Sequence, residues 1–66
     1  MEIERLRYMA DQIARNFAAQ GEAEAIAATA SHIRDFWDPR MKAAILGGDH
    51  AGLDAIAARA LDRLQG

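Results

Sequence analysis

Apolar residues recur along this chain at alternating steps of three and four, which is the spacing of one face of an α-helix. The first two segments each carry five such residues: Ile3, Leu6, Ala10, Ile13 and Phe17, then Ala23, Ile26, Ala30, Ile33 and Trp37. A later segment continues the pattern with Leu53, Ile56, Ala57, Ala60, Leu61 and Leu64. The spacing predicts an all-α fold.

Glycine and proline divide this helical sequence into four parts. Gly21 is a natural left-handed helix stop, and the short link Gln20-Gly21 implies that the second helix folds back antiparallel on the first. Gly47-Gly48 ends the third helix, and Asp49 is a candidate N-cap for the last. The predicted helices cover about residues 2–19, 22–36, 39–46 and 50–64 of a single helical domain, residues 1–66.

The sharpest break in backbone direction is expected at Asp38-Pro39. Proline disfavours helical geometry at the preceding residue, aspartate is a strong N-cap, and proline is favoured at the first helical position. We therefore predict that Asp38 caps a short third helix with Met41, Ala44 and Ile45 on its inner face.

The core of such a chain is thin. Of its 66 residues 16 are alanine, and none is cysteine, so neither a disulfide nor a cysteine-bound metal can stabilise it. Two histidines cannot build a closed zinc site alone. A chain this small then needs either close helix packing or a partner protein.

Charge and hydropathy limit the class of protein. A net charge of −2 argues against a nucleic-acid binder, and no helix is predominantly basic. No apolar run approaches 18 residues, and Glu2 and Glu4 do not fit a signal peptide. We expect a cytoplasmic protein without a membrane segment.

Groups that could perform catalysis are few. His32 and Asp35 are three apart on a predicted helix, but such a pair is more often a surface feature, here flanking Phe36. His50 beside Asp49 is interpreted as a first-turn residue next to an N-cap. No catalytic, cofactor-binding or metal-binding residue is assigned, and enzymatic activity is the least favoured hypothesis.

A candidate partner-binding surface lies near the proline: Arg34, Phe36, Trp37, Arg40 and Met41. Arginine, methionine and aromatic residues are enriched in the cores of protein interfaces. Trp37 also continues the apolar stripe, which favours a core position. Phe36 points about 100° away around the helix, on another side.

Two runs of the sequence resemble a known family. They are Met-Ala-Asp-Gln-Ile-Ala-Arg-Asn-Phe at 9–17 and His-Ile-Arg-Asp-Phe-Trp-Asp-Pro-Arg-Met at 32–41. Both are similar to the delta subunit of soluble, NAD-dependent, molybdenum-containing formate dehydrogenases, although Asp35 stands where that family is expected to carry a basic residue.

The resemblance implies a non-catalytic accessory subunit in a complex that oxidises formate to carbon dioxide and reduces NAD. Its implied partners are the other subunits, chiefly the large catalytic subunit, and its implied role is assembly or stability. The molybdenum cofactor, iron–sulfur clusters and FMN would lie in those partners. A free-standing homodimeric helical regulator or interaction module is the alternative, because the same stripes would also support self-pairing.

Overall fold

Four α-helices form the computed structural model, which describes residues 2–65. They are α1 (Ile3–Phe17), α2 (Glu22–Phe36), α3 (Pro39–Gly47) and α4 (Ala55–Gln65), with a 3₁₀ turn, Ala18–Gln20, between the first two. The part of the chain described contains no β-strand, so the all-α class is confirmed. The predicted limits of α2 agree with the structure, α1 ends two residues early in the 3₁₀ turn, and α3 extends one residue further.

The turn between α1 and α2 depends on Gly21. Its φ of +102° lies in a region that residues with a Cβ rarely adopt. The Gly21 carbonyl accepts the Ala25 N–H at 2.8 Å, so α2 begins directly after this residue. The two helices therefore pack against each other across a very short connection.

All four helices contribute to the core. Its buried members are Leu6, Ala10, Ala14, Ile33, Trp37, Ile45, Ala57 and Leu61. Three of the eight are alanines with no exposed surface, which is the composition that lets helix backbones approach closely. The helices thus bury a shared core with little side-chain volume.

The apolar stripes of α1 and α2 are right in outline but wrong at their first residues. Ile3 is 40% exposed and Ala23 is exposed, whereas Ala25 and Thr29 are fully buried. The reason is that α2 packs both against α1 and, more extensively, against α4. Two neighbours bury a wider arc of α2 than a single three-four stripe describes.

The predicted start of the last helix at His50 is wrong, because α4 begins at Ala55. Gly52 has a φ of +84°, which no α-helix can include. Asp49 does not cap a helix, since its carboxylate accepts the Ala51 N–H at 2.9 Å and closes a local turn. Asp54 is the actual cap: its side chain accepts the Ile56 N–H and its carbonyl the Ala58 N–H, both at 2.9 Å.

Candidate partner-binding surface

A hydrogen-bonded corner joins α2 to α3, as predicted. The Asp38 carboxylate accepts the Met41 N–H at 2.9 Å, and Pro39 occupies the first turn of α3. On the other side, the Trp37 N–H donates to the Ile33 carbonyl at 3.1 Å and ends α2. Asp38 is thereby confirmed as the N-cap of the short third helix.

The Lys42 side chain links α3 to the end of α2 by a hydrogen bond across the corner. Its Nζ donates to the Arg34 carbonyl at 3.0 Å, close to the C-terminal end of α2. That end of a helix carries unpaired carbonyls and partial negative charge, so an ammonium group is well placed there. The corner is consequently held by the side chains of Asp38 and Lys42, which bond to the backbone of α3 and of α2 respectively.

The two neighbouring aromatic residues of the corner have opposite environments. Trp37 is 6% exposed and packs in the core, whereas Phe36 is 76% exposed. The core position expected from the stripe is confirmed for Trp37. Its indole therefore offers little surface to a partner in this conformation.

The remaining members of the candidate set divide in the same way. Arg34 and Arg40 are exposed, while Met41 is partly buried and packs against the core. The outer surface of the corner thus consists of Phe36 and the two arginines, and Trp37 and Met41 lie beneath it. Whether these residues bind a partner stays a prediction.

The predicted proximity of His32 and Asp35 does not produce a pair between them in the described residues. Asp35 instead accepts the Arg34 Nε–H at 3.0 Å, and this hydrogen bond lowers the pKa of the Asp35 carboxyl and raises the pKa of Arg34. The His32 ring lies beside Phe36, with ring centroids 5.0 Å apart and planes tilted by 37°. This arrangement is an aromatic contact at a surface rather than an acid–base couple.

Sequence reasoning missed a second cluster, in which α1 holds the segment before α4. The Arg7 guanidinium donates to the carbonyls of Asp49 and Ala51. The Asp11 carboxylate accepts the Asp54 N–H at 2.9 Å. No local pattern signals these contacts, because the partners are more than 40 positions apart in the chain.

His50 belongs to the same segment and contacts α4. Its Nδ1 lies 3.1 Å from a carboxylate oxygen of Asp62, and its buried Nε2 has no partner among residues 2–65. The ring is thus a packed component of this segment.

Residues 2–65 contain no surface pocket and no cluster of three metal-ligating side chains. Within the same range, none of the helices is long and apolar enough to cross a lipid bilayer. What the described surface does present is an exposed aromatic ring with cationic neighbours, a composition suited to protein contact.

Comparison with known proteins gives one family. The model of the NADH-dependent formate dehydrogenase delta subunit, FdsD, matches residues 5–61. No curated protein and no solved structure matches the chain. The match contains both runs that carry the sequence resemblance, 9–17 and 32–41, and confirms it.

Proposed function

The chain belongs to the delta-subunit family of NADH-dependent formate dehydrogenase, and from this premise we propose that it is a non-catalytic accessory subunit that binds the large catalytic subunit. Its role in this proposal is to support the assembly or stability of the complex. That complex oxidises formate to carbon dioxide and reduces NAD. The proposed location is the cytoplasm.

The family match over residues 5–61 is the observation that carries this proposal. The redox groups are assigned to the partners: molybdenum cofactor, iron–sulfur clusters and FMN. The amino-acid composition supports this division, because iron–sulfur clusters are held by cysteine thiolates and this chain has no cysteine.

The proposed contact surface is the outer side of the α2–α3 corner, with Arg34, Phe36 and Arg40. Trp37 and Met41 support it from below through their packing in the core. Capping by Asp38 and Lys42 keeps the surface in one arrangement. A surface organised before binding loses less conformational entropy when a partner docks.

The test is to purify the complex through a tag on the catalytic subunit, from cells that contain or lack the gene for this chain. We expect the chain to copurify and its removal to reduce the yield of assembled complex. The turnover number per assembled complex should stay unchanged, because the chain supplies no reacting group. If the complex assembles and works normally without the chain, the proposal is wrong.

A further inference from the structure

Phe36 is the most exposed large apolar side chain among the described residues, and the packing of the monomer gives no reason for its exposure. The exposed large hydrophobic residues of the described chain are Ile3 at 40%, Tyr8 at 64% and Phe36 at 76%. Tyr8 has a hydroxyl group that water can solvate, and Phe36 has no polar atom in its side chain. A phenyl ring in water forgoes the stabilisation that burial would provide.

The backbone that carries Phe36 is held on both sides. Two residues before it, the Arg34 carbonyl accepts the Lys42 ammonium at 3.0 Å, and two residues after it Asp38 caps α3 at 2.9 Å. His32 lies against the ring itself, with centroids 5.0 Å apart. The side chain therefore projects from a rigid corner.

The charge around this ring is positive, although the chain as a whole carries −2. The carboxylate of Asp35 is paired with Arg34, and that of Asp38 is bonded to a backbone N–H. Arg40 forms no ion pair among residues 2–65, and the Lys42 ammonium donates to a neutral carbonyl. The corner thus carries three cations, Arg34, Arg40 and Lys42, against two carboxylates, Asp35 and Asp38, and its net charge is positive.

We propose that Phe36 is an anchor residue that enters an apolar pocket on the catalytic subunit, and that the rim of this pocket carries carboxylates facing Arg40 and Lys42. This inference rests on the proposed function and adds the chemistry of the partner's site to it. An anchor on a rigid corner with a charged rim predicts two separable effects. Loss of the ring accelerates dissociation, and loss of the rim charge slows association.

The first experiment compares Phe36→Ser with Tyr8→Ser, a matched removal of an exposed aromatic ring from α1. Binding of the full chain to the catalytic subunit, purified without this chain, is followed kinetically. We expect Phe36→Ser to raise Kd by about ten- to a hundredfold through faster dissociation, and Tyr8→Ser to change it less than about twofold. Equal thermal unfolding midpoints would establish that both variants are folded.

The second experiment compares Arg40→Glu with Arg5→Glu, a charge reversal at an exposed position of α1. The Arg40 variant should associate about tenfold more slowly at low salt and lose the salt dependence of the association rate. The Arg5 variant should keep both. An unchanged association rate for Arg40→Glu would contradict the proposal that the partner's pocket has an acidic rim.

The outcomes separate the two proposals. If the wild-type chain does not bind the catalytic subunit, the proposed function fails. If the wild-type chain binds and Phe36→Ser binds equally well, the anchor is overturned and the proposed function remains. Phe36→Ser could instead abolish self-association or binding to anionic lipid vesicles. The surface would then bind a second copy of the chain or a membrane rather than the catalytic subunit, and the anchor proposal would be overturned.

Discussion

Phe36 and Trp37 are adjacent in the chain and differ from each other in exposure by a factor of more than ten. Successive residues of a helix point about 100° apart, so only one of the two can follow the buried stripe of α2. Trp37 does so and packs with residues of the other helices. Trp37 therefore contributes to the stability of the fold, and Phe36 is available for contact with a partner.

We predict that Trp37→Ala lowers the free energy of unfolding by about 3–5 kcal/mol, as the truncation of large buried aromatic residues does. A core this small has little stability in reserve, so the variant should be largely unfolded. Urea unfolding followed by far-UV circular dichroism measures the change. Phe36→Ala is the control and should cost less than about 1 kcal/mol because its ring is exposed.

Thr29 gives a second prediction for a single residue. It is fully buried, and its hydroxyl has no hydrogen-bond partner among the described residues. A buried polar group without a partner costs about 1–3 kcal/mol, so Thr29→Val should stabilise the protein by about 1 kcal/mol. The urea midpoint reports this change. A lower midpoint for Thr29→Val than for the wild type would mean that the hydroxyl is satisfied in solution.

At the scale of the elements, two aspartates that the sequence predicts as helix N-caps behave differently. Asp38 caps α3 as predicted, whereas Asp49 closes a turn and leaves the capping of α4 to Asp54. The difference arises because Gly52 adopts a positive φ while Arg7 and Asp11 of α1 bind the intervening segment. The capping role of Asp38 follows from its local sequence, because Pro39 comes directly after it. The role of Asp49 depends instead on the tertiary contacts of the segment that follows it.

We predict that Asp38→Ala destabilises the protein by about 0.5–2 kcal/mol through loss of the cap on α3. Asp38→Asn is the matched control, since an amide oxygen can still accept the Met41 N–H, and it should lose much less. Chemical denaturation of both variants measures the difference. Equal losses for alanine and asparagine would indicate that the carboxylate charge, rather than the cap, is what stabilises the corner.

The whole molecule closes its core without a second chain. Its accessible surface is 4159 Å², close to the value of about 4,100 Å² typical of a folded monomer of this mass. Its radius of gyration of 10.5 Å also lies near the roughly 10.8 Å typical of this length. A partner is therefore needed for function in our proposal and not to complete the fold.

We accordingly predict that the isolated chain is a folded monomer at micromolar concentration. The few exposed large apolar residues form too little surface for a stable homodimer, which typically buries about 800 Å² on each subunit. Sedimentation equilibrium over a hundredfold concentration range measures the mass. A constant dimer mass would contradict this prediction and favour the homodimeric regulator instead.

The sequence by itself determined the all-α class, the extent of α2, the proline corner with its Asp38 cap, the burial of Trp37 and the family resemblance. These follow from side-chain spacing and capping among residues within a few positions of one another. Tertiary structure alone decided the start of α4, the wider buried face of α2 with Ala25 and Thr29, and the binding of the segment before α4 by Arg7 and Asp11. Those contacts join residues distant in the chain, so they depend on how the helices pack rather than on local pattern. The same packing covers Trp37 and leaves Phe36 exposed, as the apolar stripe of α2 predicted, because the two side chains point to different sides of one helix.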